Sequence, residues 1–297
     1  MKRSQLLGQS AALGMLALGM PGNAVAAAST MKAPIAPLAP PAGGVPVAFL
    51  LSSGAVMIDF AGPWEVFQDA HVSGAKAPPF TLFTVAETTQ PIAMSGGAML
   101  VPHYTFANVP TPKVVVVPAQ ADATLAVKAW LNAVARQADL MMSVCTGAFV
   151  LAQAGLLDGR DVTTHHSAFG TLAMQFPTVR VKRGVRFVDD GSIATSAGLS
   201  AGIDLALHVV ARYYGEEAAR QTAYDMEYVS DNWLDGNNLA YLKPQLAHAG
   251  DAICPVCWME VDPKTATKFT YNGTTYYFCM PEHEYVFAAD PQRFLSA

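Results

Sequence analysis

The stretch Ala138-Asp-Leu-Met-Met-Ser-Val-Cys145-Thr-Gly-Ala-Phe-Val-Leu-Ala-Gln-Ala-Gly-Leu-Leu-Asp-Gly159 decides the fold. Residues 140–144 are a short, mainly apolar run that reads as a buried strand ending at Cys145. From Thr146 onward, Phe149, Val150, Leu151 and Ala154 recur at helical spacing, and Gly155 is a stop. Cys145 therefore falls on a tight strand-to-helix turn, where the small Thr146-Gly147 pair lets the backbone bend sharply. Such a turn lifts a side chain to the C-terminal edge of a sheet and aims helix N-terminal N–H groups at it. Those donors favour thiolate over thiol, so the spacing predicts a lowered pKa and a nucleophilic sulfur. A lone Cys also reads as a small buried hydrophobe, and spacing alone leaves both readings open.

Outward from this unit, strands and helices alternate. Residues 46–51, 80–85 and 113–118 read as strands, the last with four successive Val, as in a sheet buried on both faces. Between the first two lies a helix carrying Val66 and Phe67 inward, with Pro63 suited to its first turn. Residues 125–136 are a helix leading to the Cys145 unit. Beyond it, residues 160–164 read as a strand leading to His165-His166, and residues 185–189 and 192–195 flank an Asp190-Gly191 hairpin turn. Residues 199–214 and 216–228 are helices. The alternation is that of a parallel α/β sandwich, whose sites gather beyond the C-terminal strand ends.

The remaining features bound the class. A chain of 297 residues has room for one medium domain plus a small one. A net charge of −5 with no basic run gives no pointer to nucleic acid. Lys2-Arg3, the weakly apolar residues 6–20 and Ala24-Val25-Ala26 form a charged, then apolar, then small-x-small pattern. This reads as a signal peptide over 1–26 and hence an exported, periplasmic protein. An uncleaved anchor is the alternative, set against by the shortness of the run and its Gly8, Gln9 and Gly14. Lys2-Arg3 is also a weak twin-arginine-like pattern, so the export route stays open. Residues 27–44, rich in Ala and Pro, read as a linker, as do residues 236–250. Of the four Cys, Cys145 stands alone and the other three cluster at the C-terminus, which implies two sites rather than one disulfide framework.

Several motifs stand in an order that resembles the ThiJ/PfpI superfamily. They are Ser143-Val-Cys145-Thr-Gly-Ala, Ala154-Gly-Leu-Leu-Asp-Gly159, Thr163-Thr-His165, Asp189-Asp-Gly191-Ser-Ile-Ala-Thr195 and Ala201-Gly-Ile-Asp204. Within it, Asp59-x-x-Gly-Pro-x-Glu65 is similar to isocyanide hydratases and to the amidase-like domain of AraC-type regulators. The resemblance spans roughly residues 45–230, within a domain read over 45–235, and implies a flavodoxin-like parallel sheet sandwich with a nucleophile elbow, a homodimer and a small-molecule substrate. It also implies that Cys145 is the nucleophile and Asp59 its acidic partner, with a carboxyl pKa raised by the neighbouring thiolate. Glu65 is the runner-up acid, with a solvated or dimer-contact role as the alternative. His165 matches a His found near the nucleophile in relatives, and equally reads as satisfying a local hydrogen bond. The Thr146 N–H is a donor to developing negative charge. Two departures concern the pocket: His166 stands where hydratase-like members carry Trp, and Pro118-Ala119-Gln120 replaces Pro-Gly-Gly. Losing Gly there costs access to positive φ, so that part of the oxyanion site is expected to be reshaped.

The C-terminal segment carries a second chemistry. Cys254-Pro-Val-Cys257 and Cys279-Met-Pro-Glu-His283 offer a four-ligand set at the spacing of a zinc or other soft-metal site. Residues 251–297 resemble the YHS domain, a small metal-associated α+β module, through Val261-Asp-Pro, Tyr271-Asn-Gly, Tyr276-Tyr-Phe-Cys279 and Asp290-Pro-Gln-Arg-Phe294. His283 stands where that module has Cys, which keeps a ligand while altering metal preference, so zinc and copper both remain open. Met259 and Met280 suit Cu(I) or simple packing, and a Cys254–Cys257 disulfide is the alternative to metal. Two functions follow: an exported cysteine-dependent hydratase or amidase with a metal module, or a non-enzymatic envelope protein for metal handling or redox sensing.

Overall fold

The computed structural model describes residues 35–236 and 252–295. The proposed signal peptide and most of the second linker lie outside these residues. Among the described residues no helix is long and apolar enough to cross a membrane.

The architecture is an α/β sandwich around a seven-stranded sheet. Its strands are β1 (Val45–Leu50), β2 (Phe80–Ala86), β3 (Tyr104–Thr105), β4 (Val114–Val117), β5 (Leu140–Val144), β6 (Phe187–Asp189) and β7 (Ile193–Ser196), in spatial order β6-β7-β5-β4-β1-β2-β3. All pairs are parallel except the β6–β7 hairpin. The helices are α1 (Met57–Gln68), α2 (Leu125–Val134), α3 (Gly147–Gln153), α4 (Phe169–Gln175), α5 (Ala201–Tyr214) and α6 (Glu216–Asp225). Every residue of β4 and β5 is buried, and each sheet face has its own apolar cluster, as a sheet covered on both sides requires. Val47, Val114, Val116 and Met142 point to one face, against α1 and α5. Ala48, Val115, Val117 and Met141 point to the other, against α2 and α3.

Register gathers the site. Val117 pairs with Ser143 and Ser196 with Val144, so β4, β5 and β7 end at nearly the same level. The residues that follow these ends converge at one sheet edge. The crossover between β1 and β4, where the chain direction of winding reverses, lies beside them.

Two details differ from the sequence reading. Helix α1 starts at Met57, so Pro63 sits inside it rather than in its first turn. Helical spacing is weak over residues 57–62, which hid the earlier start. Residues 35–44, read as linker, have no regular structure but run along α5. The Leu38 N–H donates to the Arg212 carbonyl at 2.8 Å, and Arg212 Nη2 donates to the Ala36 carbonyl at 3.2 Å.

Beneath the sheet edge, Asp204 is fully buried and accepts from Arg186 Nε at 2.6 Å and from the Tyr228 hydroxyl at 2.9 Å. Burial raises the Asp204 pKa despite the guanidinium, so the pair holds a costly charge in place. Arg186→Ala leaves that carboxylate uncompensated and is expected to cost about 3–5 kcal/mol. Urea unfolding at pH 7 reads the loss, which shrinks as the pH is lowered and the raised Asp204 carboxyl takes up a proton.

Candidate active site and metal centre

Cys145 adopts φ +58°, a left-handed conformation that costs a non-glycine residue energy and is held only where the surroundings impose it. Three constraints impose it here. The Cys145 N–H donates to the Ala197 carbonyl at 3.0 Å, and the Thr164 hydroxyl donates to the Cys145 carbonyl at 2.8 Å. Gly147 then lets α3 start against the end of β4: a Cβ at that position would lie 2.1 Å from the Val117 carbonyl oxygen. The turn before α3 thus aims the sulfur back over the sheet edge.

The sulfur meets four groups that follow the ends of three strands, β1, β5 and β7. The backbone N–H groups of Thr146 and Leu199 and the Thr146 side chain hydrogen-bond it, and Asp59 stands opposite. Asp59 lies in the first turn of α1 and has no solvent exposure. Its Oδ2 accepts the Ala119 N–H at 3.2 Å, and the carboxylate also meets the Cys145 thiol and the Leu199 N–H. Leu199, also at positive φ (49°), went unnoticed in the sequence, and its neighbour Gly198 was the only hint of an unusual backbone there.

Electrostatics correct the sequence reading of the thiol. Burial pushes Cys145 up to about 11, and the Asp59 charge pushes in the same direction, outweighing the Thr146 and Leu199 donors. The expected lowered pKa does not hold, because α3 is only seven residues long and the sulfur faces a carboxylate in a nearly closed space. Asp59 is raised to about 6, by burial first rather than by like charge. At neutral pH the resting pair is a thiol facing a carboxylate, and Asp59 is the base that takes the thiol proton when a reactant arrives.

The other candidates fall into place around this pair. Glu65 is exposed on α1 and accepts from Gln68 Nε2 at 3.2 Å; the structure does not bring it to the pair. His165 Nδ1 accepts the Ser167 N–H at 3.3 Å and lies 2.8 Å from the Ser167 hydroxyl, the local role that was its alternative. Its ring is pressed against Gly198, where a Cβ would lie 2.2 Å from His165 Cδ2, so it backs the Leu199 donor. Ala119 and Gln120 are not among the positive-φ residues. The Ala119 N–H is committed to Asp59, and Gln120 Oε1 accepts the Ser52 N–H at 2.6 Å. That loop therefore positions the acid instead of supplying a free donor.

A second group forms in the C-terminal segment. There, β8 (Ala252–Ile253) pairs with β9 (Glu260–Val261), and the hairpin β10 (Thr267–Tyr271) and β11 (Thr274–Phe278) turns on Asn272-Gly273, both at positive φ. Helix α7 (Pro281–Ala289) follows. The ligand atoms of Cys254, Cys257, Cys279 and His283 all lie within 4.8 Å of one another. His283 Nδ1 is 3.5 Å from Cys254 Sγ and 3.2 Å from Cys279 Sγ, and Cys257 Sγ is 3.5 Å from Cys279 Sγ. Zinc bonds of about 2.3 Å to S and 2.0 Å to N give tetrahedral edges of roughly 3.5–3.8 Å, so these side chains fit such an ion. All four cysteines are free thiols. The neighbouring thiols pull Cys254 down toward thiolate by hydrogen bonding, as a metal ligand needs. Met259 is 38 % exposed and lies outside the buried core of this segment.

This segment is docked on the sandwich. Phe169 of α4 belongs to its apolar cluster with Phe278, Phe287 and Phe294. Arg183 stacks between Trp258 and Phe294, its carbon 5.2 and 5.3 Å from the two rings. It also donates to the carbonyls of Pro255 and Phe294, the latter at 2.5 Å.

A parallel sandwich with a positive-φ cysteine at a strand-to-helix elbow and a carboxyl from the first crossover defines a class of α/β proteins built around a reactive thiol. Residues 45–212 match the DJ-1/PfpI family, and the chain belongs to it. Isonitrile hydratase of Pseudomonas putida is 33 % identical over 190 residues, covering 61 % of this chain and 78 % of that protein. The HTH-type transcriptional regulator GbdR of Pseudomonas aeruginosa is 30 % identical over 189 residues, 61 % of this chain but only 51 % of its own length. Among solved structures, a THiJ/PfpI family protein from Pseudomonas syringae superposes with a TM-score of 0.56 at 29 % identity, covering 64 % of this chain and 77 % of its own.

Proposed function

We propose that the chain is a cysteine-dependent enzyme that hydrates a small electrophile of the isonitrile class and carries a YHS-type metal module. The observation that carries this reading is the buried pair of Cys145 thiol and Asp59 carboxylate, which face and hydrogen-bond each other beside the Leu199 N–H. The similarity to isonitrile hydratase supports it. Cys145 is only 8 % exposed, which suits a slim reactant whose terminal carbon reaches the sulfur.

The chemistry balances on these residues. Asp59 takes the thiol proton as sulfur attacks the isonitrile carbon, then returns that proton to the same carbon, leaving a thioimidate on Cys145. Water adds to the thioimidate carbon, the C–S bond breaks, and the thiol regains its proton. One isonitrile and one water become one N-formamide. The Thr146 and Leu199 N–H groups stabilise the sulfur while it carries charge.

The chain would work as an exported, periplasmic homodimer. Regulators of this family pair a similar domain with DNA binding, but here the described residues 252–295 carry a Cys/His cluster, which favours a metal ion over nucleic acid as partner. Zinc or copper would be held by Cys254, Cys257, Cys279 and His283, and such an ion supplies a cross-link that holds the module folded. A second reading, a metal-handling or redox-sensing protein without turnover, is favoured by the commitment of the Ala119 N–H to Asp59 in place of a substrate.

Incubation with small aliphatic isonitriles tests the choice. The expected result is N-formamide release by the native chain, a thioimidate mass on Cys145 in rapidly quenched samples, and neither with Cys145→Ser. Absence of turnover on isonitriles, amides and α-oxoaldehydes alike would overturn the enzyme reading.

A further inference from the structure

Two buried imidazole nitrogens on neighbouring elements have no hydrogen-bond partner: His283 Nε2 and His166 Nδ1. His283 turns Nδ1 toward the sulfurs of Cys254 and Cys279, so Nε2 lies on the far side of the ring, facing the sandwich. That edge rests on α4. A Cβ on Gly170 would lie 2.1 Å from His283 Cδ2 and 2.9 Å from Nε2. His166 opens the 3-10 turn (His166–Ala168) that leads directly into α4, four residues before Gly170. When Nδ1 binds a metal, Nε2 must carry the ring proton and becomes a donor. A buried donor left unmatched is costly, and metal-bound His residues as a rule donate their second nitrogen to an acceptor.

We propose that His166 is the acceptor behind the metal ligand: the Nε2–H of metal-bound His283 hydrogen-bonds Nδ1 of His166, directly or through one water. The inference rests on the metal reading of the Cys/His group. It makes His166 a positioning residue, fixing the tautomer and orientation of His283. It also joins the two sites, because the His166 ring lies 4.3 Å from that of His165, tilted by 35°, and His165 packs on Gly198 beside the Leu199 donor to Cys145.

Zinc titration of the full chain against a chromophoric chelator tests this, with Co(II) absorption reporting that the tetrahedral ligand set is retained. His166→Ala is expected to weaken zinc binding about 10–100-fold. His166→Asn, whose Oδ1 accepts, is expected to recover most of that loss. Equal affinity for His166→Ala and native protein would overturn the inference while leaving the metal centre intact. Equal losses in both variants would also overturn it, assigning the effect to packing. If the native chain binds neither Zn(II) nor Co(II), the metal reading falls and takes the inference with it.

Discussion

Asp59→Asn is expected to slow isonitrile turnover by about 10²–10⁴-fold, the range for removing a positioned general acid–base, while making Cys145 more reactive toward iodoacetamide. The two effects have opposite signs because Asp59 plays opposite parts in them. In turnover it accepts the thiol proton and delivers it to the reacting carbon, which an amide does not do. In the resting site its charge raises the Cys145 pKa, so removing that charge lowers the thiol from about 11 and increases the thiolate fraction at pH 8. Stability supplies a third readout. The folded-state pKa of Asp59, about 6, lies above the ordinary carboxyl value of 3.8, so the folded protein binds the extra proton between those values. Stability is therefore lost as pH rises from 3.8 to about 6 and stays lower above it. The neutral Asn escapes this penalty, and a gain on the order of 1–3 kcal/mol at pH 7 is expected. Stopped-flow turnover, the pH profile of alkylation and urea unfolding check the three arms. Unchanged turnover, or alkylation that slows, would remove Asp59 from the site.

Much of this site was legible because its parts are local. The run before Cys145 is apolar for the length of one strand and turns helical immediately after, so the elbow declares itself in the spacing of a dozen residues. The Cys/His group declares itself in the same way, through two short Cys/His spacings. What escaped was assembled over long sequence distances. Leu199 reaches the sulfur only because β7 lies beside β5, and no period in the sequence announces that pairing. The thiol pKa was misjudged because a helix terminus is visible in sequence, whereas the depth of burial and a carboxylate 86 residues upstream are not. The docking of the C-terminal segment depends on Phe169, Gly170 and Arg183, three residues that share no motif and meet it only in the fold.

Stripping the metal is expected to open the C-terminal segment and leave the sandwich folded. Residues 252–295 number fewer than fifty, too few to bury the apolar surface that keeps such a unit folded without a cross-link. Their core is Phe278, Phe287 and Phe294 with a share of Phe169, and the four ligands tie β8, β11 and α7 together around it. Structural zinc contributes about 10–16 kcal/mol in small metal-dependent folds at neutral pH, well above what this core and the Arg183 contacts supply. A tight chelator at pH 7 should therefore make Cys254, Cys257 and Cys279 label rapidly with a thiol reagent, while Cys145, buried in the sandwich with its pKa near 11, stays slow. Protease cuts should appear within 252–295, and one equivalent of Zn(II) should reverse both changes. Lower pH acts in the same direction as the chelator, because protons compete with the ion for thiolate and imidazole. Labelling that is equally fast before and after chelation, or a module that keeps its protection without metal, would show that packing against α4 alone holds the segment folded.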